Sequence, residues 1–108
     1  MRPLTVVFWR SEQGNEPVRD WLKSLPDEVT KAIGDDLRLV QWKWPVGKPL
    51  VDGFGDGLYE VRTKHKNVNY RILFAFENET TILLHGIIKK TPKTPPAAVA
   101  LARQRQKG

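Results

Sequence analysis

The sequence contains no cysteine, which excludes a disulfide framework and any site that works through a thiolate. With only two histidines, His65 and His85, it offers no credible set of zinc ligands, and we expect no metal and no cofactor. The longest apolar run near the start, Leu4–Trp9, is far too short for a membrane span or for the core of a signal peptide. We therefore expect a cytoplasmic protein without a membrane partner.

Acidic residues are scarce in the second half of the chain. Residues 1–57 carry 8 Lys or Arg and 9 Asp or Glu, whereas residues 58–108 carry 10 Lys or Arg and only 3 acidic residues. The net charge of +6 therefore arises wholly in the second half. Such asymmetry suggests a polyanionic partner, although a basic, solvated surface would give the same count.

The length of 108 residues predicts a single domain spanning 1–108. Leu4–Trp9 is rich in β-branched and aromatic residues and predicts a strand. Apolar residues then recur at helical spacing in two short segments separated by Pro26, and Pro45 closes the second segment. This pattern predicts two antiparallel helices joined by a tight turn.

Proline, glycine and aspartate punctuate residues 45–57, which predicts a loop. Three strands are predicted to follow, at about Leu58–Lys64, Val68–Glu77 and Thr80–Lys89. Asn78-Glu79 joins the last two as a tight hairpin, and Thr94 can cap a C-terminal helix that starts at Pro95. The predicted order is β-α-α-β-β-β-α, an α+β fold.

Because side chains alternate between the two faces of a strand, parity sorts the residues of the three strands. An apolar set, which includes Ile72, Phe74, Ile82, Leu84 and Ile88, should pack on the helices. The opposite face carries the cationic or titratable residues Arg62, Lys64, Arg71, His85 and Lys89, with Lys90 and Lys93 at its rim.

Mutual repulsion among these charges costs stability unless an anion is present, so the face predicts anion binding. Each residue also has a plainer role open to it. Arg62 could simply pair with Glu60 or with a carboxylate on a neighbouring strand, and His85 could be a hydrogen-bonded sheet histidine. Lys64 and Lys66 could be ordinary solvated lysines at a hairpin end.

An Arg- and Lys-rich face suits RNA, which brings its own nucleophile, the 2′-hydroxyl that can attack the adjacent phosphodiester. A protein must then align the reacting groups, stabilise the developing charge and move two protons. Arginine suits the charge stabilisation, because it stays protonated and binds phosphate in a bidentate manner. A lysine crowded by other cations and partly removed from water has a lowered pKa and could move a proton, as could a histidine.

Three segments of the second half resemble a known family: Gly57-Leu-Tyr-Glu-Val-Arg62, Asn69-Tyr-Arg-Ile-Leu-Phe74 and Leu84-His-Gly-Ile-Ile-Lys-Lys-Thr-Pro-Lys-Thr-Pro95. They are similar to the phage-derived HigB-like branch of the RelE/ParE toxin superfamily. The resemblance covers nearly the whole chain, and the segment from His85 to Pro95 is its most specific part.

The resemblance implies a RelE-like fold, with a twisted, mostly antiparallel four-stranded sheet, a helical hairpin on one face and a C-terminal helix. It also implies the toxin of a type II toxin–antitoxin system, an endoribonuclease that cleaves mRNA within the translating ribosome, without metal, by attack of the 2′-hydroxyl. The implied partners are the ribosome, mRNA and a helix-turn-helix (HigA-like) antitoxin.

Carried over by position, the resemblance assigns catalytic roles to Arg62, Arg71 and either Lys89 or Lys90. Lys64, His85 and Lys89 are the candidates for the general acid and base, since no Tyr or His follows Pro95-Pro96, where such toxins often have a tyrosine. The remaining predicted RNA-binding residues are Lys66, Lys93, Arg103 and Arg105. Two alternatives stay open: an RNA- or ribosome-binding module without catalysis, and a basic interaction protein that docks an acidic partner.

Overall fold

The computed structural model describes residues 2–89 and 93–108, which form three helices and one sheet of five strands. The helices are α1 (Pro17–Lys23), α2 (Asp27–Lys43) and α3 (Pro96–Lys107). The strands are β1 (Thr5–Phe8), β2 (Val51–Gly55), β3 (Leu58–His65), β4 (Val68–Glu77) and β5 (Thr80–Lys89). Within the described part of the chain, none of the helices has the length and hydrophobicity that a membrane span requires.

The sheet has the strand order β1-β5-β4-β3-β2, with β1 parallel to β5 and the other neighbours antiparallel. The α+β class is confirmed, whereas the predicted four-stranded sheet is wrong. The fifth strand, β2, lies within the segment predicted to be a loop and pairs with β3, with Val51 opposite Val61. Because β2 is rich in glycine and its register shifts between Gly53 and Gly55, its sequence lacks the alternation of apolar and polar residues that normally indicates a strand.

Tight turns join the last four strands. Asn78 and Glu79 have φ angles of 52° and 60°, and the hairpin predicted there is confirmed. Asp56 and Gly57 link β2 to β3 with φ angles of 53° and 77°. Two successive left-handed residues give the turn a twist that matches the twist of the strands, and Asp-Gly is a favoured pair for this geometry.

The helical hairpin α1–α2 packs against one face of the sheet, which we call the hairpin face. Its buried core includes Ile33 of α2 and the strand residues Val61, Ile72 and Phe74. The Trp44 ring closes this core, with its centroid 5.0 Å from that of Tyr59 in an edge-to-face arrangement. The core predicted for β3 and β4 is confirmed.

A bulge in β5 reverses part of the predicted parity. Leu73 lies opposite His85 but Phe74 lies opposite Leu83, so Leu84 is an extra residue in β5. As a result Leu83 packs in the hairpin-face core, while Leu84 and Ile82 pack on the opposite side. The prediction that Ile82 and Leu84 lie on the hairpin face was therefore wrong.

Ile88, also predicted to be a core residue, is 49% exposed. It lies on the hairpin face in register with Tyr70, near the end of β5.

Helix α3 covers part of the opposite face, which we call the α3 face. Ala98 and Ala102 are its buried residues, and Ala102 packs with Leu58, Leu73 and Leu84 of the sheet. The helix begins at Pro96 rather than Pro95, and no side chain caps its first turn. Thr94 therefore does not cap the helix as predicted, because its hydroxyl is engaged by sheet residues instead.

Candidate nucleic-acid interface

The part of the α3 face beside the start of α3 contains an open cleft of about 400 Å³. Its floor is formed by residues of β3 and β4, and the segment before β2 supplies an apolar wall. The lining residues are Pro49, Leu50, Arg62, Lys64, Asn69 and Arg71.

Strand register explains why these side chains meet. Arg62 of β3 lies directly opposite Arg71 of β4, and Lys64 lies opposite Asn69. Lys89 of β5 is in turn opposite Asn69 on its other side. Paired residues of neighbouring strands project to the same face, so these cations share the α3 face as the strand parity predicted.

Arg62 is held by two carboxylates. Its Nε donates to Oε2 of Glu60 at 2.7 Å, and its Nη2 donates to Oδ2 of Asp52 at 3.0 Å. Glu60 is fully buried, whereas Asp52 and Arg62 are partly exposed at the cleft. The ion pair with Glu60, which the sequence left open as the plainer role of Arg62, therefore forms together with a second pair across to β2.

Arg71 is only 3% exposed, although it lines the cleft. Its Nη1 donates to the hydroxyl of Thr94 at 2.6 Å. The Thr94 hydroxyl in turn donates a hydrogen bond to Oε1 of Glu60. Arg62 and Arg71, on adjacent strands, are thus connected through one buried carboxylate and one hydroxyl.

His85 shares the α3 face but lies outside the cleft lining. It is opposite Leu73 and four positions along β5 from Lys89, a separation of about 13 Å in an extended strand. Burial, and secondarily the positive charge of Arg105, lower the pKa of His85. His85 is thus not among the described residues that line the cleft, although its strand partner Leu73 is only two positions from Arg71 on β4.

None of the four predicted RNA-binding residues is among the described residues that line the cleft. Lys66 is in the β3–β4 turn, with Nζ 3.4 Å from Oε1 of Glu28, and this contact lowers the pKa of that carboxyl. Lys93 is exposed just before Thr94. Lys90, predicted to be catalytic, falls outside the described residues.

Arg103 and Arg105 attach α3 to the sheet. Arg103 donates to the backbone carbonyls of Phe54 and Gly55 at 2.6 and 2.9 Å, at the end of β2. Arg105 donates to the carbonyl of Leu84 at 2.7 Å and stacks over the ring of Trp9 at 5.0 Å. Both guanidiniums have structural contacts, and their role in binding RNA stays a prediction.

The sequence pattern did not identify three participants of this site. Asp52 was missed because its segment was predicted to be a loop, so no strand brought it near Arg62. Thr94 was assigned to a helix cap, and nothing in a single sequence shows that its hydroxyl reaches Glu60. Asn69 shares this face by strand parity, but an uncharged amide in a single sequence gives no signal of anion binding.

The arrangement can bind a phosphodiester. Two guanidiniums, fixed by hydrogen bonds to acceptors of the protein, and the exposed ammonium of Lys64 line one cleft. Arginine and lysine are the residues that proteins use to bind phosphate groups, and fixed donors need little reorganisation when the anion arrives. The amide of Asn69 adds a donor and an acceptor that suit the edge of a base.

Residues 20–107, from within α1 to the end of α3, match the model of the family described as "Phage derived protein Gp49-like (DUF891)". This family is associated with RelE/ParE-like toxins and with toxin endoribonuclease activity. No curated protein matches the sequence. Because the family model matches more than half of the chain, the chain belongs to the phage-derived Gp49-like family.

Proposed function

We propose that this protein is the toxin of a type II toxin–antitoxin system, of the HigB-like branch, and that it cleaves mRNA on the translating ribosome. The observation that carries the proposal is the cleft with Arg62, Lys64 and Arg71, found in a chain of a family associated with RelE/ParE-like toxins. The cytoplasm, where ribosomes translate, is then its place of action.

In the proposed reaction the 2′-oxygen of a nucleotide attacks the adjacent phosphorus as the bond from phosphorus to the 5′-oxygen breaks. The products are a 2′,3′-cyclic phosphate and a 5′-hydroxyl. Arg62 and Arg71 stabilise the negative charge that builds on the phosphoryl oxygens. For this purpose Arg62 exchanges its partly exposed partner Asp52 for the phosphate and keeps the buried Glu60.

Two protons must move, one from the 2′-hydroxyl and one to the 5′-oxygen. Lys64 lines the cleft, and Lys89 lies across Asn69 from it, so these two ammonium groups are the best placed of the predicted acid and base candidates. His85 is a weaker candidate because it lies away from the cleft lining. A helix-turn-helix antitoxin of the HigA-like type is the proposed partner that restrains the activity.

Induced expression of matched lysine variants tests this function. Lys64→Ala removes an exposed cleft ammonium, whereas Lys31→Ala removes an exposed lysine of α2 on the other side of the sheet. We expect growth arrest and new mRNA 5′ ends, mapped by primer extension, from wild type and Lys31→Ala. Lys64→Ala should lose both. Cleavage that is equal in the two variants would contradict the proposed site, and the absence of new ends from wild type would contradict the proposed activity.

A second candidate is an RNA- or ribosome-binding module without catalysis. The absence of His85 from the described cleft lining favours it, because histidine is the predicted acid or base whose ordinary pKa of about 6.5 lies nearest neutrality. Such a module would sediment with ribosomes in a salt-dependent manner and would leave the mRNA intact. Lys64→Ala should reduce the slope of the logarithm of its binding constant against the logarithm of the salt concentration. Primer extension on the same ribosome samples separates the two functions.

A further inference from the structure

The hydroxyl of Thr94 lies at the junction between Arg71 and Glu60. It accepts a hydrogen bond from Nη1 of Arg71 at 2.6 Å and donates one to Oε1 of Glu60. The other carboxylate oxygen of Glu60 accepts from Nε of Arg62 at 2.7 Å. One hydroxyl and one carboxylate therefore connect the two guanidiniums that line the cleft.

The location of Glu60 makes this connection specific. Glu60 has no exposed surface, and a buried carboxylate must keep its hydrogen-bond donors because water cannot replace them. Glu60 is two positions before Arg62 on β3, so the two side chains project to the same face of the sheet, the α3 face. A hydroxyl can serve both neighbours, because it has one proton to donate to a carboxylate and lone pairs to accept from a guanidinium.

Thr94 does not belong to the sheet. It directly precedes Pro95, the N-cap of α3, whose Ala98 and Ala102 are buried against the sheet. The position of its hydroxyl therefore depends on how α3 is seated.

We infer that Thr94 is a positioning residue, which fixes Arg71 directly and Arg62 through Glu60, so that the seating of α3 sets the geometry of the phosphate-binding cleft. This inference rests on the proposed function for its kinetic consequence. The structural consequence, a change at both guanidiniums when the Thr94 hydroxyl is removed, does not depend on it.

The test compares Thr94→Val, which keeps the shape and removes the hydroxyl, with Thr94→Ser, which restores it. Both variants keep every charge of the cleft, so attraction to the RNA backbone should persist while the alignment of the arginines is lost. For cleavage on mRNA-programmed ribosomes we expect kcat to fall about a hundred-fold in Thr94→Val with little change in KM. Thr94→Ser should recover most of the rate. Thr5→Val, at an exposed position of β1, is the control.

Activities are scaled to the folded fraction measured by circular dichroism, so that a loss of stability is not read as a loss of kcat. A kcat unchanged in Thr94→Val would overturn the inference, and so would a Thr94→Ser variant as slow as Thr94→Val.

The NMR signals of the arginine Nε–H groups provide the second readout. We expect the signals of both Arg62 and Arg71 to shift in Thr94→Val, to return in Thr94→Ser and to stay in place in Thr5→Val. If wild type does not cleave mRNA, the proposed function fails while these signals still decide the inference. Signals that stay unchanged in Thr94→Val would overturn it, whatever the activity.

Discussion

The two faces of the sheet differ in how completely they are covered. The hairpin face has two helices and an aromatic cluster in which Trp44 contacts Tyr59 and Phe74. The α3 face has one helix, which packs on Leu58, Leu73 and Leu84 and leaves the cleft beside its first turn open. Apolar side chains thus supply the core on both sides, while the cationic cleft lies where the helical cover ends.

The same contrast holds for charge. Glu60 and Arg71, on the α3 face, are the buried charged residues among those that the structure describes. Buried charge contributes little net stability but is costly to leave unpaired. A protein that retains such groups beside an open cleft gains fixed charges at a position that an anion can reach. We therefore expect the larger losses of stability from substitutions on the hairpin face, and losses of function from substitutions at the cleft.

The largest effect on stability should come from Gly86→Ala on the hairpin face. A Cβ at this position would lie 2.3 Å from Cε3 of the Trp21 ring, so α1 would have to move away from β5. We expect the free energy of unfolding to fall by about 3 kcal/mol, at the upper end for overpacked sites. Chemical denaturation measures it.

Gly34→Ala is the matched control for that substitution. Gly34 lies within α2, and a Cβ there meets no described atom within 4 Å apart from the backbone of its own helix. Alanine should stabilise a helix at such a site by about 0.5–1 kcal/mol. Equal effects of the two alanines would contradict the close packing of Trp21 on Gly86.

A smaller loss is expected from Glu60→Gln on the α3 face. The amide cannot accept from both Arg62 and Thr94 as the carboxylate does, so we expect a loss of about 2 kcal/mol, within the range for hydrogen bonds to charged groups. Glu77→Gln changes an exposed glutamate of β4 and should alter stability by less than about 0.5 kcal/mol. A Glu60→Gln protein as stable as the Glu77→Gln protein would show that the buried carboxylate is not needed for folding.

The smallest effect concerns the pH dependence of stability and His85, which lies on the α3 face and is influenced by the charge of Arg105. Burial, and then Arg105, lower the pKa of His85 below its ordinary value of about 6.5. The unfolded chain therefore binds the proton first on acidification, so the free energy of unfolding falls as the pH drops below that value toward the pKa of the folded state. At pH values above about 6.5, the contribution of neutral His85 to the free energy of unfolding is fully present.

His85→Gln should remove this part of the pH dependence, measured by urea denaturation above and below pH ~6.5. Arg105→Gln should raise the pKa of His85, followed by NMR, but only in part, because burial is the larger cause. A pKa of His85 at or above its ordinary value in wild type would contradict the partial burial of this residue beside Arg105.

Strand and helix periodicity was sufficient to predict the order of seven elements and the face that Arg62, Lys64, Arg71 and Lys89 share. It failed for β2, because the glycines of Val51–Gly55 and an irregular register remove the alternating pattern. It failed again at Leu84, since parity assumes an unbroken ladder and a bulge changes the face of every residue beyond it. The Thr94 junction joins residues 34 positions apart, and no local pattern encodes such a contact.

The comparison of the two faces is tested most directly by a pair of charge reversals that change the net charge equally. Lys64→Glu with Lys89→Glu alters the cleft and its edge, whereas Lys31→Glu with Lys43→Glu alters exposed positions of α2. Cleavage of mRNA by the purified proteins on translating ribosomes is measured for both. We expect the cleft pair to lose at least about a hundred-fold in rate, as for loss of transition-state charge stabilisation, and the α2 pair to stay close to wild type. Equal losses from the two pairs would contradict the assignment of RNA cleavage to the α3 face.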